Sequence, residues 1–255
     1  YSFGVALGGA ILVPTLFALI FGFLAFRSRI KGVYFAIITQ ALALCAWLVF
    51  NRNETNLGGT NGLTDFKQVL GFRLSEPGTQ RALYILTVFC LAGAYVLCRW
   101  IIHSRTGRVL IAIRDSEQRV LFSGYSPSNY KLFVFVVSAA LAGLAGALYV
   151  PQVGIITPAQ IGVLPSLEMV IWVAVGGRGT LIGAVLGAVG VNWARSVLTN
   201  HFPDLWPFFL GGLFIAVVLL FPDGVVGLFA KIRERWATSG LNRKPLVPSE
   251  GGQGT

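Results

Sequence analysis

Charge is what this sequence most lacks. Only 12% of its 255 residues are Asp, Glu, Lys or Arg, about half the share of roughly 25% found in soluble domains. Acids are scarcest, ten against twenty Lys and Arg, for a net charge of +10. On a soluble protein that excess would point to nucleic acid. Here the positives sit in short segments beside apolar runs, where they set membrane orientation, so no nucleic-acid partner is expected. Cysteine is confined to Cys45, Cys90 and Cys98. Each lies in or beside an apolar run and none forms a C-x-x-C pair, which leaves neither a disulfide framework nor a zinc site and makes them small packing residues. None of Lys31, Lys67, Lys131, Lys231 and Lys244 follows a glycine, so the phosphate-cradling G-K pair is missing. No serine stands at the centre of G-x-S-x-G. Gly177-Arg178-Gly179 lacks the third glycine of a dinucleotide loop. His103 and His201 fall on opposite expected sides of the membrane and share no metal. An enzyme acting alone is excluded, and no cofactor or metal is expected in this chain.

What the sequence has in abundance is apolar residues, 55% of the chain, grouped in blocks as in membrane proteins. Seven runs are visible, over 1–26, 32–50, 82–97, 132–150, 161–175, 181–198 and 207–220. The second carries no charge and as a helix is about 28 Å long, close to the hydrocarbon thickness. The third is slightly short, and the fifth is interrupted by Pro165 and Glu168. Helix is the expected form of each, because open strands leave backbone groups unpaired in lipid. The fold class is therefore an all-α integral membrane protein, a polytopic bundle with about seven apolar segments in this fragment. The first run has no basic leader and no Met before it, and reads as a membrane helix in a chain whose native N-terminus is truncated.

Arg27, Arg29 and Lys31 place the first connection in the cytoplasm. Alternation then puts 51–81 outside, 99–131 inside, 151–160 outside, 176–180 inside, 199–206 outside and the C-terminus inside. Residues 1–230 form the transmembrane domain. Residues 231–255 continue a short amphipathic cytoplasmic piece into a tail rich in Gly, Pro, Ser and charge, expected to be disordered. The Phe221-Pro222-Asp223-Gly224 sequence is a turn signal before that tail.

The segment 99–131 is far longer than a turn between membrane helices needs. It sets Arg99, Arg105, Arg108, Arg114, Arg119 and Lys131 against Asp115 and Glu117. Ile111, Val120 and Leu121 offer apolar surface, Arg108, Arg114 and Arg119 can pair with acids on a partner, and Gly124 and Pro127 end the helix. Either a cytoplasmic protein or an anionic lipid surface fits this pattern. Small residues recur at four-residue spacing, Ala139, Gly143 and Ala147, then Gly179, Gly183 and Gly187, and mark faces where helices pack closely. Glu168 is the one acid within a run. It either serves function or pairs with Arg195 on the neighbouring helix.

The stretch S-R-T-G-R-V-L-I-A-I-R-D-S-E (104–117), then G-Y-S (124–126) and Y-K-L-F-V-F-V-V-S-A-A-L-A-G-L-A-G (130–146), resembles the membrane permeases of ATP-binding-cassette importers for branched-chain amino acids, amides and urea. V-A-V-G-G-R-G-T-L-I-G-A-V-L-G-A (173–188) and F-P-D-G fit as well. Within that family, R-I-K-G-V-Y-F-A-I-I-T-Q-A-L (29–42) and G-G-T-N-G-L-T-D-F-K-Q-V-L-G-F (58–72) look most like the second permease subunit of the urea importer. The resemblance implies a multi-pass subunit of a bacterial inner membrane. It also implies partners: a homologous second permease, two cytoplasmic ABC ATPases that use ATP and Mg, an external solute-binding protein and the surrounding lipid. The family's cytoplasmic loop carries an E-A-A-like stretch followed by glycine. Glu117 and Gly124 match it, while Gln118 and Arg119 replace the alanines. Arg108, Arg114, Glu117, Arg119 and Gly124 are therefore the candidate ATPase-coupling residues. A path for urea needs paired donors and acceptors without fixed charge. The candidates are Thr39, Gln40, Thr60, Asn61, Glu168 and Asn192, with Gly143, Gly179, Gly183 and Gly187 for helix packing. Branched-chain amino acids are the alternative solute, and a stand-alone channel or secondary transporter is the rival of a different class.

Overall fold

The computed structural model describes residues 3–28, 30, 32–52, 59–63, 68–69, 72–74, 76–177, 179–201, 206–220, 224 and 227. Among them are nine α-helices: α1 (Phe3–Arg27), α2 (Val33–Asn51), α3 (Pro77–His103), α4 (Arg105–Asp115), α5 (Glu117–Phe122), α6 (Pro127–Val153), α7 (Val163–Gly176), α8 (Leu181–His201) and α9 (Trp206–Leu220). A minimal antiparallel pair, β1 (Gln68–Val69) with β2 (Phe72–Arg73), lies between α2 and α3. Each of the seven apolar runs holds a helix, and α4 and α5 occupy the polar insert. Five helices, α1, α2, α3, α6 and α8, are long and apolar enough to cross a membrane. At 14 and 15 residues, α7 and α9 reach only about 21–23 Å. The expected tail over 231–255 lies outside the described residues.

Three readings of the sequence are corrected by the helix boundaries. The run over 82–97 is not a short helix. Backbone hydrogen bonding continues through polar residues at both ends, from Pro77 at the first turn to His103, giving 27 residues. Pro165 does not interrupt the fifth run, because it sits in the first turn of α7, where its missing N–H has no intrahelical acceptor to lose. Pro127 does not end the insert's helix but opens α6. The insert itself is two helices, broken at Ser116, whose extended backbone (φ −159, ψ 97) closes α4 and starts α5.

The chain divides into two compact units, 1–165 and 166–255. In the first, α1 packs along α6. Pro14 inside α1 has no N–H to offer the Ala10 carbonyl. That carbonyl faces Gly143 of α6, where an added Cβ would collide with it. Lower on the same seam, Gly22 admits the side chains of Leu132 and Phe135, and the Ser128 hydroxyl donates to the Phe26 carbonyl at 3.2 Å. The first connection and the start of α6 are thus at one end of this unit. The opposite end is tied by a two-way backbone bridge, Leu63 N to Ile156 O at 2.9 Å and Ile156 N to Leu63 O at 3.1 Å. This is the alternation that loop charges predict for these segments. Large apolar side chains face outward along the helices, Phe89 and Trp100 at 72% and 70% exposure, as lipid or another chain requires.

In the second unit α7, α8 and α9 meet at Ile171, Val191 and Leu210, with Trp172, Val175, Leu198 and Leu213 around them. A Cβ on Gly176, Gly183 or Gly187 would strike backbone of the facing helix, so α7 and α8 approach at backbone contact. Gly179 does not share that seam. It lies in the turn before α8 with φ +87 and nothing within 4 Å of a Cβ, because α8 begins only at Leu181. Gly224 also has a positive φ and lies against Gly177, while the remainder of the F-P-D-G turn is outside the described residues.

Candidate functional site

The polar insert is built around a sharp corner. The Ser104 hydroxyl donates to the Ile101 carbonyl at 2.6 Å and accepts from the Gly107 amide at 3.3 Å, capping α4. Gly107 is buried there, since any Cβ would strike the Ile102 carbonyl. α4 then runs with Ile113 buried at 7% exposure and Arg105, Arg108 and Arg114 outward. Val120 is also buried at 7%, so it anchors α5 inward and is not part of the outward apolar surface. Ile111 and Leu121 are half-exposed, and Phe122 is 92% exposed, three residues along α5 from the exposed Arg119. Sequence reading missed Phe122; its signal was an aromatic residue directly before the Ser-Gly that ends an amphipathic helix.

Beside this surface lies a groove of about 450 Å³, lined among others by Arg108, Val109, Asp115, Arg119 and Tyr125. Arg114 is spent partly on its neighbour Asp115, at 3.4 Å and with both side chains largely exposed, a contact worth little. Glu117 faces inward instead: its carboxylate lies 2.9 Å from Lys131 Nζ on α6. Gly124 has φ +83, a conformation that favours glycine, and lets the Tyr125 amide fold back to the Val120 carbonyl at 3.3 Å. Of the five coupling candidates, Arg108 and Arg119 line this groove, Arg114 and Gly124 are exposed outside its lining, and Glu117 ties α5 to α6.

The solute-path candidates are less concentrated. The Thr39 hydroxyl donates to Phe35 and Ala36 carbonyls of its own helix, and Gln40 is exposed on α2. Asn192 donates to the Ala188 carbonyl of its own helix at 2.8 Å. Glu168 accepts from Arg195 at 2.8 Å. Thr60 and Asn61 are exposed in the 3-10 turn Gly59–Asn61. That turn is held at the bridged end of the first unit, where the Gln152 amide donates to Thr87 at 2.6 Å and the Gln160 amide to the Tyr149 hydroxyl at 3.2 Å. These four uncharged groups are further polar candidates in the first unit. Neither the period of a helix nor a motif joins residues 65 apart, so sequence alone did not find them.

The turn depends on Gly62. Its φ is +71, and a Cβ would strike the Ile156 carbonyl. Gly62→Ala is expected to weaken the local bridge by about 1–3 kcal/mol. Hydrogen exchange at the Leu63 and Ile156 amides should then quicken by roughly fivefold to a hundredfold, at about tenfold per 1.4 kcal/mol. Unchanged exchange would mean that the bridge does not hold the turn.

Residues 2–218 match the family described as branched-chain amino acid transport system / permease component. The chain belongs to that family, and it is a multi-pass membrane protein. It is similar to the high-affinity branched-chain amino acid transport system permease protein LivM of Escherichia coli K12, 24% identical over 78% of this chain and 52% of the relative. It is also similar to BraD of Pseudomonas aeruginosa, named for the same transport, 30% identical over 58% and 47%. A third relative is the autoinducer 2 import system permease protein LsrC of Photorhabdus laumondii, 32% identical over 71% and 60%. The chain spans about half the length of the first of these. No solved structure matches it.

Proposed function

We propose that this chain is a permease subunit of an ATP-binding-cassette importer in a bacterial inner membrane, working by alternating access. The observation that carries the reading is the α4–α5 surface. Phe122 at 92% exposure, on the same short helix as the exposed Arg119 and next in sequence to an α4 that exposes Arg108 and Arg114, suits a partner with an apolar pocket and an acidic rim. Two cytoplasmic ATPases would present such pockets and hydrolyse ATP with Mg, for which this chain has no G-K loop. A homologous permease and an external binding protein complete the assembly, and the α4–α5 end and the C-terminus are cytoplasmic.

The solute we assign is urea or a short amide. Support comes from the resemblance of 29–42 and 58–72, and from a mouth of uncharged donors and acceptors at Thr60, Asn61, Thr87, Gln152 and Gln160. A second reading, branched-chain amino acids, is favoured by the family description and by the names of two relatives.

The test is uptake into vesicles by the full importer, with labelled urea and labelled leucine measured side by side. ATP-dependent urea uptake would support the assignment, and leucine uptake alone would keep the importer and replace the solute. Phe122→Asp or Arg119→Glu is expected to lower uptake by about thirtyfold, the scale of an interface hot spot of 2 kcal/mol, with the chain still in the membrane. Transport indifferent to ATP and to both substitutions would overturn the importer reading.

A further inference from the structure

The α4–α5 surface would be idle unless its movement reached the helices that line a path. Three features among the described residues join α5 and the start of α6 to each other and to α1 and α2. The first is the Glu117–Lys131 pair at 2.9 Å, with side chains 24% and 31% exposed. It is more shielded than the Arg114–Asp115 pair, exposed at 76% and 64%, and is accordingly less screened. The second is the Ser128 hydroxyl on the Phe26 carbonyl at 3.2 Å, which satisfies an acceptor in the last turn of α1 that the helix itself leaves open.

The third is an aromatic cluster. Phe135 stands one turn beyond Lys131, on the same face of α6. Its ring centroid lies 5.9 Å from Phe26 and 6.4 Å from Phe21, both on α1, and 6.3 Å from Phe35 on α2. Phe35 in turn stacks on Phe26 at 5.5 Å. Gly22 leaves the room that Phe135 fills. Thus one stretch of a single continuous helix touches α5 at its start, the end of α1 beside it, and both α1 and α2 one turn later.

We propose that the first turns of α6, from Ser128 to Phe135, are the lever that transmits movement of α5 to α1 and α2: Lys131 takes up the displacement through Glu117, and Phe135 delivers it to Phe21, Phe26 and Phe35. The proposal rests on the reading of α4–α5 as the ATPase contact. Lys131 and Phe135 are positioning residues, and neither is assigned to contact solute. A side-chain chain of this kind transmits only if its links are tight, and each link here is a direct contact.

The experiment measures ATP hydrolysis and labelled-solute uptake on the same proteoliposomes holding the full importer, with urea and leucine both supplied. Phe135→Ala is expected to keep hydrolysis within about twofold while solute moved per ATP falls roughly tenfold, with Phe135→Leu restoring most of it. Glu117→Lys and Lys131→Glu should each lower solute per ATP about five- to tenfold, and the double swap should recover it to within about twofold. Solute per ATP unchanged in all variants overturns the lever. So does hydrolysis falling in step with uptake and assembly, with no rescue by the swap, since that marks a merely structural role. A wild-type importer whose uptake ignores ATP would instead defeat the underlying importer reading, and is recognised before any variant is compared.

Discussion

Gly143→Leu is expected to leave little correctly packed permease. The Ala10 carbonyl, released from its usual helical donor by Pro14, lies where even the first carbon of a new side chain would go. Rotamer changes cannot relieve that collision, because the obstacle is backbone. α1 must move off α6, and with it go the Ser128–Phe26 hydrogen bond and the contacts of Phe135 with α1. Added bulk in a packed interior commonly costs about 1–3 kcal/mol, and a leucine against backbone belongs at or above the top of that range. Gly143→Ala should fall within it. Gly146, three residues along the same helix, has nothing within 4 Å of a Cβ, so Gly146→Ala should change stability by no more than about 1 kcal/mol, with helix propensity in its favour. Heating the solubilised importer and following the soluble fraction separates the three. Equal midpoints for Gly143→Leu and Gly146→Ala would mean that α1 and α6 do not meet as described.

The helices themselves were legible because a membrane crossing requires a long apolar run and leaves the backbone no alternative to helix. Their ends were less so. α3 and α6 continue through polar residues that hydropathy reads as loop, and the insert's break at Ser116 depends on one extended residue between two helical segments. Which apolar side chains face protein was not legible at all. Phe21, Phe26, Phe35 and Phe135 look in sequence like any other phenylalanine in an apolar run, because lipid and a bundle interior are equally apolar. Gly143 carried more information, since a small residue at four-residue spacing from two others signals close approach. The same spacing misled at Gly179, where the helix had not yet begun. The exposed basic surface of the insert was readable from charge and period, whereas the inward turn of Glu117 toward Lys131 was not.

The Glu168–Arg195 pair makes the second strong prediction. Glu168 lies two turns from the end of α7 and Arg195 four turns into α8, so the pair sits about 12 Å from the connecting turn, counted along α7. Near the turn the two helices touch at Gly176, Gly183 and Gly187; farther along, the 2.8 Å charge-assisted bond takes over. Removing the carboxylate takes a charge-assisted bond from a guanidinium on an apolar helix, where holding a charge is costly. A fully buried pair loses about 3–5 kcal/mol when one partner goes. Arg195 is 47% exposed against 16% for Glu168, and the larger exposure reduces the expected loss to about 1–2 kcal/mol. Glu168→Ala and Arg195→Ala should each lower the thermal midpoint of the solubilised importer by about 2–8 °C, and Glu168→Arg with Arg195→Glu should recover most of that. If Glu168 instead contacts solute, Glu168→Gln would raise the KM for uptake with the midpoint unmoved, and the charge swap would not restore it. The two roles therefore separate on one set of variants, by whether the swap rescues and whether stability or KM changes.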